Sequence, residues 1–345
     1  MSDSRSPNPP ATQIGLGRRG LLKAGLAAGA VLAASKLSFT TPAQANDADV
    51  PSLKGKRIAI SATGTDHYWD LKAYQAQIEE VKRLGGEPIG LDAGRDDKKL
   101  VAQLQTLIAQ RPDAVIQTLG TLSVIDPWLK KIKDAGIPVF TADVPTTNSI
   151  NNTTSDNFGL GSSLALKLVS DIGGEGNIVV FNGFYGVPVC AIRYDELKHV
   201  LKYYPKVKII EPELRDVIPN TVQDAFAQIT AILSKFPEKG SIKAIWSAWD
   251  VPQLGATQAL VAAGRTEILT YGVDGSPEVV DLVKDPKSPA AAVAAQQPAV
   301  IGKTAVQNVA RYLAGQTNLP KETYIASIIA TKANAAEVQK TLGQV

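Results

Sequence analysis

The chain has 345 residues, 44% hydrophobic and 20% charged, with 28 Gly and 21 Pro, which excludes a disordered polar chain, a collagen-like fibre and a small disulfide scaffold. Its 36 Lys+Arg against 33 Asp+Glu give +3; setting aside Arg5, Arg18, Arg19, Lys23, Lys36 and Asp3, all before residue 46, leaves 31 against 32, or −1. A nearly neutral chain offers no electrostatic footprint for nucleic acid.

Cys190 is the only cysteine, so no intramolecular disulfide or cysteine metal cluster can form, and a buried, inert thiol is expected. His67 and His199 lie far apart in sequence, and no metal is expected.

The first 45 residues read as an address. A polar, Pro/Ser-rich leader precedes Gly17-Arg18-Arg19-Gly20-Leu21-Leu22-Lys23, a mild apolar run over 24–34, and the small-x-small pattern Ala43-Gln44-Ala45. The paired arginines resemble a twin-arginine export signal. As a helix the apolar run reaches about 16 Å against a hydrocarbon core of about 30 Å, too short for a permanent anchor. No later run approaches 18 apolar residues, and no cysteine stands at the cleavage pattern to carry a lipid. A soluble body in the periplasm is expected. The letters G-x-G-x-x-G at 15–20 match a dinucleotide fingerprint but lack the preceding strand and βαβ unit it needs.

From residue 56 onward, short β-branched runs at 56–61, 87–91, 114–118 and 138–142 alternate with helix-period stretches at 68–84, 97–110 and 123–135. An Asn/Thr/Ser-rich stretch, 146–156, reads as a domain crossing. A second series sets strands at 177–181, 207–211, 244–247 and 268–272 among helices near 158–172, 190–203, 220–235 and 253–263. A helix over 299–313 and a last strand over 324–329 suggest that the chain crosses back. This alternation predicts an α/β fold of two Rossmann-like, doubly wound parallel-sheet lobes, with an eight-stranded closed barrel as the competing arrangement.

Ligands of open parallel sheets bind beyond the carboxyl ends of the strands. The residues there include Asp66, His67, Tyr68 and Trp69 after the first strand, Thr118 at the end of the third and Asp143 after the fourth. The second series adds Phe184-Tyr185 with Arg193 beyond, then Trp249-Asp250, Asp274 and Gln296. Taken singly, Tyr68 and Trp69 fit a core, Asp143 and Asp274 fit helix caps, and Arg193 fits a surface ion pair. Their shared location favours a binding site. Aromatics, carboxylates and one guanidinium suit a neutral polyhydroxy compound and suit anions poorly.

There is no G-x-S-x-G elbow, H-E-x-x-H or P-loop. Two rivals remain: a binding module for a furanose signal or nucleoside, and an exported glycoside hydrolase using Asp143 and Asp274 as its carboxylate pair.

Four segments carry a family resemblance: Thr65-Asp66-His67-Tyr68-Trp69, Ile137-Pro138-Val139-Phe140-Thr141-Ala142-Asp143, Ser155-Asp156-Asn157 and Tyr271-Gly272-Val273-Asp274-Gly275-Ser276-Pro277. In order and spacing, residues 53–329 resemble the ribose-binding-protein-like periplasmic sugar-binding proteins, the type I receptors of ABC transporters. The resemblance implies a three-crossing hinge, one lobe of 54–155 plus about 297–325, and another of 156–296 plus about 326–345. It implies a binding protein with no cofactor, a sugar, deoxy sugar or sugar alcohol as ligand, and inner-membrane permease subunits as partners. A monomer is expected. It places Tyr68 and Trp69 as aromatics sandwiching the sugar, Asp66 where an asparagine often bonds a hydroxyl, and Asp143, Arg193, Asp274 and Gln296 as the main hydrogen-bonding clamp. Val144 stands where such receptors usually carry an arginine, Trp249 where an asparagine is common, and Asn220 or Ile218 near a usual aromatic. These departures make the pocket less polar and favour a deoxy sugar, linear polyol or substituted sugar over ribose. Read as a ligand contact alone, Arg193 is expected to contribute little to the melting temperature of the empty protein.

Overall fold

Period-two alternation sends successive strand residues to opposite faces, and each face needs its own helical cover. In β1 (Arg57–Ala62), Ile58 and Ile60 enter one core while Ala59 enters another. The computed structural model describes residues 49–345, so the arginine pair, apolar run and cleavage pattern of 1–45 lie outside the described residues.

After β1 come α1 (Tyr68–Arg83), β2 (Glu87–Asp92), α2 (Asp97–Gln110), β3 (Ala114–Thr118), α3 (Leu122–Asp134), β4 (Val139–Ala142) and β5 (Asn152–Ser155). The chain continues through α4 (Asn157–Asp171), β6 (Gly176–Phe181), α5 (Pro188–Leu201), β7 (Val207–Ile209), α6 (Thr221–Lys235), β8 (Ala244–Ser247), α7 (Asp250–Ala262) and β9 (Leu269–Asp274). It ends with α8 (Pro277–Lys284), β10 (Ala290–Ala295), α9 (Pro298–Leu313), β11 (Glu322–Ile325), β12 (Ile328–Thr331) and α10 (Ala335–Thr341).

These strands form two sheets. The first runs β11-β5-β4-β3-β1-β2 with every neighbour parallel. The second runs β12-β10-β9-β8-β6-β7 and is parallel except for β12, which lies antiparallel on β10. Both are open sheets with two edges, so the closed barrel is excluded. Helices α1 and α9 cover one face of the first sheet, and α2 and α3 the other. In the second, α4 and α5 pack on one face and α6 and α7 on the other, with α8 and α10 beside β10 and β12. In both sheets the strand order reverses about the first strand of the series, between β1 and β3 and between β6 and β8. Each lobe therefore has a switch-point crevice at its carboxyl edge.

The chain passes between sheets after β5, after β10 and between β11 and β12. Two details depart from the sequence reading. The polar stretch expected as a crossing contains β5, whose buried Asn and Thr side chains bond one another and the neighbouring α9. Asn308 Nδ2 donates to Asn151 Oδ1 at 2.9 Å, and Thr153 Oγ1 donates to the same oxygen at 3.1 Å. The expected strand 324–329 is two strands, β11 and β12, in different sheets. Among the described residues no helix is long and apolar enough to cross a membrane.

Candidate functional site

The two crevices face one another across a cavity of about 260 Å³, walled by residues that follow β1, β3 and β4 of the first sheet and β6, β8 and β9 of the second. Asp143, just beyond β4, and Asp274, closing β9, hold φ of 57° and 116°. Side-chain-bearing residues rarely adopt such backbone, and it concentrates at binding sites where the surrounding fold over-determines it. The strands thereby turn two carboxylates into the same space.

The second lobe organises its wall around Arg193 of α5, which is 2% exposed. Its Nε donates to Asn157 Oδ1 at 2.8 Å, Nη1 to the Ala248 carbonyl at 2.9 Å, and Nη2 to Gln296 Oε1 at 3.0 Å. Nη1 also reaches Asp274 Oδ1 at 3.4 Å, and Nη2 lies 3.9 Å from Asp143 Oδ2. Trp249, at the start of α7, is fixed by donating Nε1–H to Asp216 Oδ2 at 2.8 Å and meets Phe184 edge-on at 5.3 Å. Burial pushes the Asp216 carboxyl up to about 6 even though the Trp249 and Gly183 donors pull it down.

The first lobe presents Trp69, His67 and Asp70 from the start of α1. Trp69 is 2% exposed, packs with Ala73, Ala142 and Ile301, and its Nε1–H makes no hydrogen bond among the described residues. His67 Nε2–H donates to Asp250 Oδ1 of the second lobe at 3.1 Å, and its ring meets Trp249 edge-on at 5.2 Å. Burial alone would lower its pKa, but the Asp250 bond and the charges of Asp250, Asp70 and Asp274 raise it to about 9. Asp70 pairs with Arg95, which also donates to exposed Asp66 at 2.7 Å. Burial pushes the carboxyls of Asp143 and Asp70 upward, against the pull of Arg193 and Arg95 respectively. The Asp274 carboxyl rises to about 8, because burial and the neighbouring Asp250 outweigh Arg193.

Of the residues singled out in the sequence, Trp69, Asp143, Arg193, Trp249 and Asp274 line this cavity. Gln296 stands behind it, holding Arg193. Three are placed elsewhere. Thr118 points into the lobe, where Gln77 Nε2 donates to its Oγ1 at 3.0 Å, because it shares the strand face of Ala114 and Ile116. Tyr68 is turned about 100° from Trp69 by the helix and lines a separate cavity, its hydroxyl accepting from Gln344 Nε2 at 3.2 Å. Asp66 is exposed and reaches only Arg95. Tyr68 and Trp69 therefore face different cavities.

Sequence reasoning leaves Asp70 unremarked, and it notes His67 and Phe184 at strand ends without assigning either a ligand contact, although the i,i+3 spacing of His67 and Asp70 at a helix start is visible in it. Cys190 also lines the cavity, and burial raises its thiol to about 12, which keeps it protonated and unreactive. His67, Asp250 and Asp274 bring ligating atoms within 4.8 Å of one another. Two of the three are committed to each other: Asp250 binds His67 and accepts from the Ser276 N–H at 2.7 Å, while Asp274 has only a 3.4 Å contact with Arg193. His67 and Asp250 form a hydrogen-bonded junction rather than an open metal site.

Comparison with known proteins gives a consistent set. The family described as periplasmic binding protein domain matches residues 58–317. An ABC transporter solute-binding protein from Agrobacterium vitis, solved with bound allitol, is 72% identical; the match covers 84% of this chain and 100% of that one, with a TM-score of 0.83. An ABC sugar transporter subunit from Rhodobacter sphaeroides 2.4.1 is 64% identical over 82% of this chain and 100% of that one, with a TM-score of 0.81. The D-apiose import binding protein of Paraburkholderia graminis is 26% identical over 313 residues, 90% of this chain and 96% of that protein.

Proposed function

The chain belongs to the periplasmic binding protein family, and from that premise we propose that it captures a sugar alcohol of about six carbons between its lobes and delivers it to the permease of an ABC importer. It is a solute-binding protein, as its relatives are, and not an enzyme. The carrying observation is the cavity of about 260 Å³ to which both lobes contribute polar side chains. Ligand sites usually span roughly 300–1,000 Å³, so this one suits a small solute. The allitol held by the 72%-identical relative favours open-chain polyols within that class.

The binding set we assign is Trp69, Asp143, Arg193, Trp249 and Asp274, with His67, Asp70 and Phe184 added and Gln296 as support for the guanidinium. The hinge lies where the chain passes between sheets, near 155–156, 296–297 and 326–327, which divides the lobes into 54–155 plus 297–325 and 156–296 plus 326–345. Ligand contacts complete only when both lobes meet, so binding shifts an open–closed equilibrium toward the form that docks on the permease. The periplasm is its place of work. Arg18-Arg19 before the weakly apolar run supports export through the twin-arginine route, and we take the working form to be a monomer.

A thermal-shift screen against hexitols, pentitols, aldoses and nucleosides tests this. A ligand at a hundred times its Kd adds about 2.7 kcal/mol, which is visible as a shift. A hexitol is expected to give the largest response. A nucleoside response with silence from every polyol and sugar would overturn the reading.

A further inference from the structure

The donors and acceptors of the cavity wall are unequal in supply. Arg193 has all three of its nitrogens directed at protein acceptors, Asn157, the Ala248 carbonyl and Gln296, none further than 3.0 Å. Arg95 is engaged by Asp66 and Asp70. Arg193 therefore has little left for a ligand, and the charge of Arg95, though not all of its N–H groups, is matched by Asp66 and Asp70. Among the carboxylates it is Asp274 that is least committed. Asp274, 5% exposed, has one long contact of 3.4 Å to Arg193, although a carboxylate has about four acceptor positions. Asp143, 1% exposed, accepts from Thr154 and is approached by Gln296 and the Ser155 N–H, while its Oδ2 stands 3.9 Å from Arg193.

The charges are unequal too. Buried Asp70, Asp143, Asp250 and Asp274 are faced by three cationic groups, Arg95, Arg193 and His67, and Arg95 is shared with Asp66.

We propose that this wall selects its ligand for hydrogen-bond donors and against negative charge, so that a protonated amino group is accepted where the polyol has a terminal hydroxyl, and the matching carboxylate is refused. The inference rests on the polyol reading above. An ammonium carries three donors and no acceptor, which matches the open acceptor positions of Asp274. An aldonate carboxylate brings acceptors only and places a like charge beside buried carboxylates. A hydroxyl both donates and accepts, so it serves the carboxylates and also supplies an acceptor for the Trp69 Nε1–H. With its carboxyl raised to about 8, chiefly by burial, Asp274 is largely protonated at pH 7 in the empty site, and an ammonium placed beside it favours the carboxylate and its acceptor positions.

Calorimetric titration of the protein with allitol, 1-amino-1-deoxyallitol and allonate at pH 7 tests this on one carbon skeleton. The amine is expected within tenfold of allitol or tighter, and allonate at least a hundredfold weaker. An amine more than tenfold weaker than allitol, or an allonate less than a hundredfold weaker, overturns the proposal and leaves the polyol reading standing. Absence of binding by both allitol and the amine overturns the two together.

Discussion

The two lobes have the same strand order but prepare their halves of the cavity differently. The second lobe's wall is wired from within: Asn157, the Ala248 carbonyl, Asp274 and Gln296 all hold Arg193, and Asp216 holds Trp249. The first lobe's wall is held by packing around Trp69 and by the Asp70–Arg95 pair, and His67 finds its hydrogen-bond partner, Asp250, across the gap. One wall is therefore set before the lobes meet, and the other is completed by their meeting. A ligand that docks on the fixed wall gains its remaining contacts through closure, which is how a binding event becomes a change of shape.

Removing the hub of the fixed wall tests that difference most severely. Arg193→Met should weaken polyol binding by a hundredfold or more. It should also cost about 3–5 kcal/mol of stability, because Asp274 and Asp143 stay buried without their counter-charge. Calorimetry and denaturant unfolding measure the two effects. The sequence alone assigns Arg193 a ligand contact and little influence on the empty protein; the network argues for the larger influence predicted here. Lost binding with an unchanged unfolding midpoint would show that the wall is not wired as described.

The junction across the gap should respond to pH. His67 is raised from 6.5 to about 9 in the folded protein, so its contribution is fully present below 6.5 and is lost as pH rises through 9. Asp274, raised from 3.8 to about 8, has the same sign: the folded protein holds more protons than the unfolded chain, and stability falls as pH rises toward 8. The His67 part amounts to about 3 kcal/mol between pH 6.5 and 9. Thermal unfolding at pH 6.5, 8 and 9.5 should show the decline, and His67→Gln should flatten its upper part. A profile that is identical in the variant would remove the histidine from the junction.

Strands built from β-branched and small apolar residues are legible because alternation is written in their composition. β5 is not, because its buried faces are satisfied by Asn and Thr hydrogen bonds, which look like a loop on paper. The division of 324–329 between β11 and β12 is hidden because nothing in the local pattern says that a run changes sheets at Ala326-Ser327. In the site, Asp143, Arg193, Trp249 and Asp274 can be placed by their position after strand ends. His67 also follows a strand end, but its bond to Asp250, 183 positions away, is not written in the sequence. Thr118 stands at a strand end, yet its parity with Ala114 and Ile116 assigns it to their face of the strand, where it meets Gln77.

Tyr68 gives the finest test, because it adjoins Trp69 in sequence yet lines a different cavity. Consecutive helical residues stand about 100° apart, so a helix start that turns the indole into the cleft turns the phenol out of it. The Tyr68 hydroxyl meets Gln344, whose amide also donates to the Gly275 carbonyl at 2.8 Å, next in sequence to Asp274. Tyr68→Phe removes one partly exposed hydrogen bond of about 0.5–1.5 kcal/mol and no ligand contact, so polyol affinity should stay within threefold of the parent by calorimetry. A loss beyond tenfold would mean that the link from Tyr68 through Gln344 to the second lobe takes part in closure, and that the first lobe's wall is held by more than Trp69 packing, the Asp70–Arg95 pair and the His67 bond.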